Sequence, residues 1–113
     1  MPFINTKVTT EITKEKEEIL KAELGKAITL IGKSETYLML GFEDNCRLWF
    51  QGNQQKDTAY VEVALLGHVT KENAEKLTEA ICTIMNKELS ISPDRVYVKF
   101  SETDIWGFNN IVF

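Results

Sequence analysis

The sequence predicts an α/β (α+β) sandwich: two tandem β-α-β units, with four strands in one sheet and two helices on one face. Three observations carry this expectation. An eight-residue helix start occurs twice, each copy is flanked by short runs of strand type, and the 113-residue chain is long enough to bury a core without disulfides or metal. The segment Thr13-Lys14-Glu15-Lys16-Glu17-Glu18-Ile19-Leu20 returns 57 residues later as Thr70-Lys71-Glu72-Asn73-Ala74-Glu75-Lys76-Leu77, identical at five of eight positions. Residues 1–113 therefore form one domain with an internal repeat, about 2–45 and 58–101.

Each element has its own justification. Pro2 to Val8 is a short strand-forming run. Thr13 and Thr70 are N-cap residues followed by acids in the first turn, where carboxylates complement the helix dipole. Leu20, Leu24, Ala27, Ile28 and Ile31, then Leu77, Ile81, Ile84 and Met85, keep helical spacing. Thr36 to Phe42, Tyr60 to Leu66 and Val96 to Phe100 are β-branched and aromatic runs of strand type. A strand, a helix and a second strand in succession expect a parallel, right-handed crossover. Tyr37 to Phe42 and Tyr60 to Leu66 read as apolar on both alternating faces, so the sheet face without helices expects cover from other subunits.

Composition removes several functions. Thirteen basic against seventeen acidic residues give a net charge of −4, which lacks the basic footprint of a nucleic-acid binder. Two cysteines and one histidine do not supply a structural zinc set, so no metal site is expected. No basic leader with an apolar run opens the chain, and no apolar stretch is long enough to span a membrane. The expected location is cytoplasmic, with any secretion proceeding without a signal peptide. Cys46 and Cys82 lack redox-motif spacing and read as small apolar residues. His68, after Gly67, reads as a solvated loop residue, and nothing assembles a Ser-His-Asp set or a phosphate-binding loop around it.

Few residues can then carry chemistry. Pro2 becomes a terminal secondary amine if Met1 is removed, and the strand beginning at Phe3 holds it in place. Gly32 reads as a C-cap glycine; Lys33 is either a cation complementing the helix dipole or an anchor for a carboxylate. In the last third, Ser92 caps a short turn with Pro93 at its first position, leading into a strand. Trp106, Phe108 and Phe113 crowd the end of the chain, as core, interface or site wall.

Pro2 behind the initiator, Gly32-Lys33 with Tyr37 four residues on, Gly67, the Ser92-Pro93-Asp94-Arg95-Val96-Tyr97 stretch and the Trp106-Gly107-Phe108-Asn109 tail resemble the macrophage migration inhibitory factor family of the tautomerase superfamily over the whole chain. The resemblance implies a homotrimer whose sheets form a central barrel, with an active site around each N-terminal proline. It implies a keto–enol tautomerase acting on aryl pyruvates such as phenylpyruvate, and by extension dopachrome-type substrates. Pro2 would be the general base. Lys33 and the backbone of Leu66 would hold the carboxylate and enol, Tyr97 would enter from the neighbouring subunit, and Tyr37, Trp106, Phe108 and Phe113 would form an aromatic rim. Moving one proton within a small aromatic keto or enol acid calls for no metal and no cofactor. A rival reading is a leaderless secreted, cytokine-like or host-directed protein that binds a cell-surface receptor and keeps a vestigial site.

The sequence also departs from that family. Ser34 stands where a proline commonly follows the lysine, Gln51-Gly52 replaces a Gly-Gly turn, and Lys99 replaces a frequently neutral polar residue. The C-x-x-C of some members is Thr58 to Val61 here, so thiol-redox activity does not transfer. The chemistry suits the residues that remain. Burial among Phe108, Phe113 and Tyr97 disfavours a charged amine, and the Lys33 cation does so again, both lowering its pKa toward neutrality.

Overall fold

The computed structural model describes residues 1–113. Six strands and two α-helices follow in the order β1 (Pro2–Val8), α1 (Lys14–Ala27), β2 (Met39–Glu43), β3 (Ala59–Leu66), α2 (Lys71–Leu89), β4 (Val96–Thr103), β5 (Gly107–Phe108) and β6 (Ile111–Val112). The first four strands make a mixed sheet in the order β2-β1-β3-β4. Within each β-α-β unit the strands are parallel, β1 with β2 and β3 with β4. The units meet through an antiparallel pairing of β1 with β3. β5 and β6 form a separate hairpin.

Both threonine caps form as expected. Thr13 accepts the Lys16 N–H (3.2 Å) and Thr70 accepts the Asn73 N–H (3.1 Å), each satisfying a donor the helix leaves free. The α1 pattern runs on past Ala27 as a tighter 3-10 turn, Ile28–Ile31, which keeps Ile28 and Ile31 in the core. The end of α2 is closed by Ser90 in the left-handed region (φ 56°), with the Ile91 N–H reaching back to Met85 O (3.2 Å). Ile91 itself is buried, so the helix stop also adds to the core.

The core lies between the helices and one face of the sheet. Burial alternates along β1 and β3, placing Ile4, Val8, Val61, Val63 and Leu65 against Leu20, Leu24, Leu77, Ile81 and Met85. The opposite face is less apolar than the sequence implies. Phe3, Met39, Tyr60, Ala64, Leu66 and Tyr97 share it with polar side chains: Asn5 donates to Glu43 (2.9 Å), and Ser101 donates to Glu62 (2.7 Å). The strand runs contain Gly41 and Glu62 at the alternate positions, so alternation survives inside segments that look uniformly apolar.

Two local expectations are corrected. The second strand run begins late, because Ser34 accepts the Thr36 N–H (2.9 Å) and starts a 3-10 turn through Tyr37. Ser92 does not cap the Pro93–Arg95 turn; its hydroxyl bonds Asp94 instead (2.6 Å).

One core position is imperfect. Thr6 is fully buried and its hydroxyl has no hydrogen-bond partner. A buried polar group left unpaired costs about 1–3 kcal/mol, so Thr6→Val should raise the denaturant midpoint by an amount worth about 1 kcal/mol. A lowered midpoint with unchanged slope would show that the hydroxyl is satisfied.

Candidate functional site

Pro2 opens β1, is buried, and lies opposite Leu65 in the antiparallel ladder. The ladder continues one residue further, where the Leu66 N–H donates to Met1 O (3.3 Å). Lys33 arrives at the same place from the other side. Gly32 takes a left-handed conformation (φ 76°), open to glycine without a side-chain penalty, and turns the chain back toward β3. The Lys33 ammonium then donates to Leu66 O (3.1 Å). Leu66 thus has its N–H on the chain start and its carbonyl on Lys33.

The electrostatics follow from that geometry. Burial, and then the neighbouring Lys33 cation, lower the pKa of the Met1 α-amine from its ordinary value. Lys33 is bonded to a neutral carbonyl rather than a carboxylate, so its positive field is not cancelled by an ion pair.

An aromatic group stands at this end of the sheet. Met39 pairs with Phe3 at the start of β1, which brings Tyr37, two residues earlier, to the proline end. The Tyr37 ring meets Phe108 edge to face (centroids 5.7 Å apart, 72°), and Phe108 stacks near Phe113 (6.5 Å, 28°). The hairpin that presents these rings turns at Asn109 and Asn110, both with positive φ, the conformation a two-residue hairpin loop requires. Its base is closed by Phe113 N–H to Trp106 O (2.8 Å), which fixes Trp106 beside them.

Tyr97 does not join this group. It pairs with Tyr60, five residues along β3 from the Leu65 opposite Pro2. At about 3.3 Å per residue the separation is about 17 Å. Tyr97 is exposed and packs edge to face on Phe50 (5.0 Å, 89°), beside a cavity of about 190 Å³ also lined by Trp49, Tyr60 and Arg95. Within one chain the eight residues expected at the site are therefore split: Pro2, Lys33, Leu66, Tyr37, Trp106, Phe108 and Phe113 at one end, Tyr97 at the other.

Sequence reasoning missed the surroundings of Tyr97. Arg95 is buried, lies over the Phe50 ring (5.0 Å to its centroid), and donates to Phe50 O, Lys56 O and the Thr58 hydroxyl. The adjacent aromatics Trp49 and Phe50 in a polar loop were the available signal. His68 is exposed as expected but lies near carboxylates, with Nε2 3.2 Å from Asp104 and Nδ1 3.6 Å from Glu102. The Val69 N–H donates to Glu102 (2.7 Å) and, with His68 alongside, holds that carboxyl below its usual range. Cys46 and Cys82 are both free, and burial pushes the Cys82 thiol up. No group of three or more Cys, His, Asp or Glu side chains is arranged to hold a metal ion. No helix is long and apolar enough to cross a membrane.

The sequence matches the Macrophage migration inhibitory factor (MIF) family over residues 1–112. Among curated proteins, none matches the chain. Among solved structures, MIF2 of Leishmania major is 31% identical with a TM-score of 0.93, over 100% of this chain and 97% of that one. The homologue of Prochlorococcus marinus is 28% identical with a TM-score of 0.86, over 98% of each chain. The Toxoplasma gondii protein, 21% identical over 98% of this chain and 99% of its own, shares the fold with a TM-score of 0.91. The chain belongs to the macrophage migration inhibitory factor family and has the fold of the tautomerase superfamily.

Proposed function

We propose that the processed protein, beginning at Pro2, is a keto–enol tautomerase for aryl pyruvates such as phenylpyruvate. The observation that carries this reading is the meeting of the chain start, Leu66 and Lys33 at one end of the sheet, with Lys33 donating to Leu66 O at 3.1 Å. The free amine of Pro2 takes the proton from the enol oxygen and returns it to C3, leaving the ketone. Lys33 binds the substrate carboxylate as a charge-assisted partner. The Leu66 N–H, which holds Met1 O while Met1 is present, becomes a donor to the substrate once Met1 is gone. The Tyr37, Phe108 and Phe113 rings pack on the aryl group and keep the amine in a medium that disfavours its charge. Holding base and substrate in one fixed geometry supplies the orientation that proton transfer needs.

Tyr97 reaches this site from a second copy of the chain. Exposed apolar side chains lie both at the proline end (Tyr37, Met39, Phe108, Phe113) and at the far end (Trp49, Tyr97), so one copy's patch can meet the other patch of its neighbour. Such a head-to-tail contact closes a ring when the rotation permits, and the family resemblance implies three copies. Light scattering should therefore give about three times the 12.9 kDa chain mass at micromolar concentration. A monomer mass removes the composite site.

The decisive experiment compares two forms of one protein. The form beginning at Pro2 should interconvert keto and enol phenylpyruvate. A form with Met1 retained, in which the Pro2 nitrogen is a non-basic amide, should not, while keeping the same mass in solution. Equal rates would exclude Pro2 as the base. An assembled, processed protein with no turnover would favour the receptor-binding reading instead.

The pH profile tests the assigned cation. Burial, and then the Lys33 cation, lower the pKa of the Met1 α-amine, and the Pro2 amine that replaces it after processing would meet the same two influences. The kcat/KM of the processed protein should rise to its plateau with a midpoint below that of an ordinary prolyl amine. Lys33→Met should move that midpoint upward and lower the plateau about 10- to 100-fold, the value of one charge-assisted contact. A lower plateau with an unmoved midpoint would show that Lys33 binds substrate without tuning the amine.

A further inference from the structure

Tyr97 is flanked, two residues to either side, by Arg95 and Lys99. We propose that these two cations make the Tyr97 end a second anion-binding pole, so that the site takes 2-oxo acids carrying a second negative group far from the 2-oxo carboxylate. This rests on the function proposed above, in which Tyr97 of one copy completes the site of another.

Neither cation is in an ion pair. Arg95 is 5% exposed, and its donors reach only uncharged acceptors, Phe50 O (3.3 Å), Lys56 O (3.0 Å) and Thr58 Oγ1 (2.7 Å). Its Nε has no partner at all. Asp57, between Lys56 and Thr58, and Asp94, next to Arg95, accept the Thr9 and Ser92 hydroxyls and form no ion pair with Arg95. A buried guanidinium without a carboxylate projects a positive potential through a medium of low dielectric. Arg95 lines the cavity of about 190 Å³ together with Trp49, Phe50 and Tyr97, which provides apolar walls for an aryl ring.

Lys99 adds a second, accessible charge. Residues two apart on a strand share a face and lie about 7 Å from one another, so Lys99 stands beside Tyr97 on the face away from the helices. It takes part in none of the chain's ion pairs. The carboxylate directly opposite, Glu62, accepts the Ser101 hydroxyl (2.7 Å) instead. In the assembled site Lys33 stands at one end of the substrate and Arg95 with Lys99 at the other. Phenylpyruvate, with one carboxylate, fills only the first pole, whereas a carboxylate at the para position of the ring fills both.

The test uses the processed protein with phenylpyruvate and 4-carboxyphenylpyruvate side by side. The expected result is a kcat/KM about tenfold higher for the doubly charged acid, carried in KM and shrinking as salt is raised. Lys99→Gln should bring the ratio of the two substrates toward one, and Lys99→Arg should keep it. A ratio near one in the unsubstituted protein, or a ratio that Lys99→Gln leaves unmoved, overturns the second pole while the tautomerase function stands on phenylpyruvate turnover. Failure to turn over either substrate removes the proposed function and this inference with it.

Discussion

The antiparallel pairing of β1 with β3 is the constraint on which the rest of the molecule depends. Each β-α-β unit is parallel inside itself, and this ladder alone joins the two units of the four-stranded sheet. Because it is antiparallel, the beginning of β1 lies at the end of β3. Pro2 is thereby opposite Leu65, and the next residue, Leu66, meets the chain start on its N–H side and Lys33 on its carbonyl side. A parallel joint would have set Pro2 against Ala59 and left Lys33 nothing to bind at the proline end. The ladder that holds the fold together is also what immobilises the proposed base.

The same sheet separates Tyr97 from the other seven candidate residues within one chain. Helices α1 and α2 cover one face and leave the other with charges among its apolar side chains. Polar side chains such as Asn5, Glu62 and Ser101 let that face meet water, so exposure alone does not demand a partner. The position of the large apolar residues is more informative. They gather at the two ends, Tyr37, Phe108 and Phe113 at one and Trp49 with Tyr97 at the other, about 17 Å apart along the strands. Two unlike patches at opposite ends suit a head-to-tail contact between copies, and that contact would bring Tyr97 to a proline.

Much of this was legible from residues alone. The two Thr caps, the helical spacing of Leu20, Leu24, Leu77 and Ile81, and the strand runs located every major element, because each depends on local chemistry and a short period. The direction of β1 against β3 was not legible, since a period of two reports which face a side chain takes and nothing about which strand lies alongside. The late start of β2 was hidden because a serine-capped turn and a strand make similar use of Thr36 and Tyr37. Of the candidate site, seven residues gather at one end and Tyr97 does not, a separation no sequence spacing could reveal. Arg95 was legible as part of a turn; that it also clamps the carbonyls of Phe50 and Lys56 depends on a loop folding back from 39 to 45 residues away.

Lys33 departs from one of the two meanings its sequence position allowed. A lysine complementing a helix dipole would lie against the last carbonyls of α1, but Lys33 crosses to β3 and donates to Leu66 O. That choice has a chemical consequence for the proposed reaction. Burial and the Lys33 cation lower the pKa of the Met1 α-amine at this end of the sheet. In the proposed processed form the same two influences would act on the Pro2 amine and favour its neutral, proton-accepting state. When a substrate carboxylate arrives, it offsets the lysine's charge and removes that part of the pressure against an ammonium. The amine is then better able to hold the enol proton while C3 turns to receive it. A neutral hydrogen-bond donor in place of Lys33 could anchor the carboxylate but could not reverse its influence on binding. In the proposed reaction the charge at this position, more than the hydrogen bond it makes, would couple substrate capture to proton transfer.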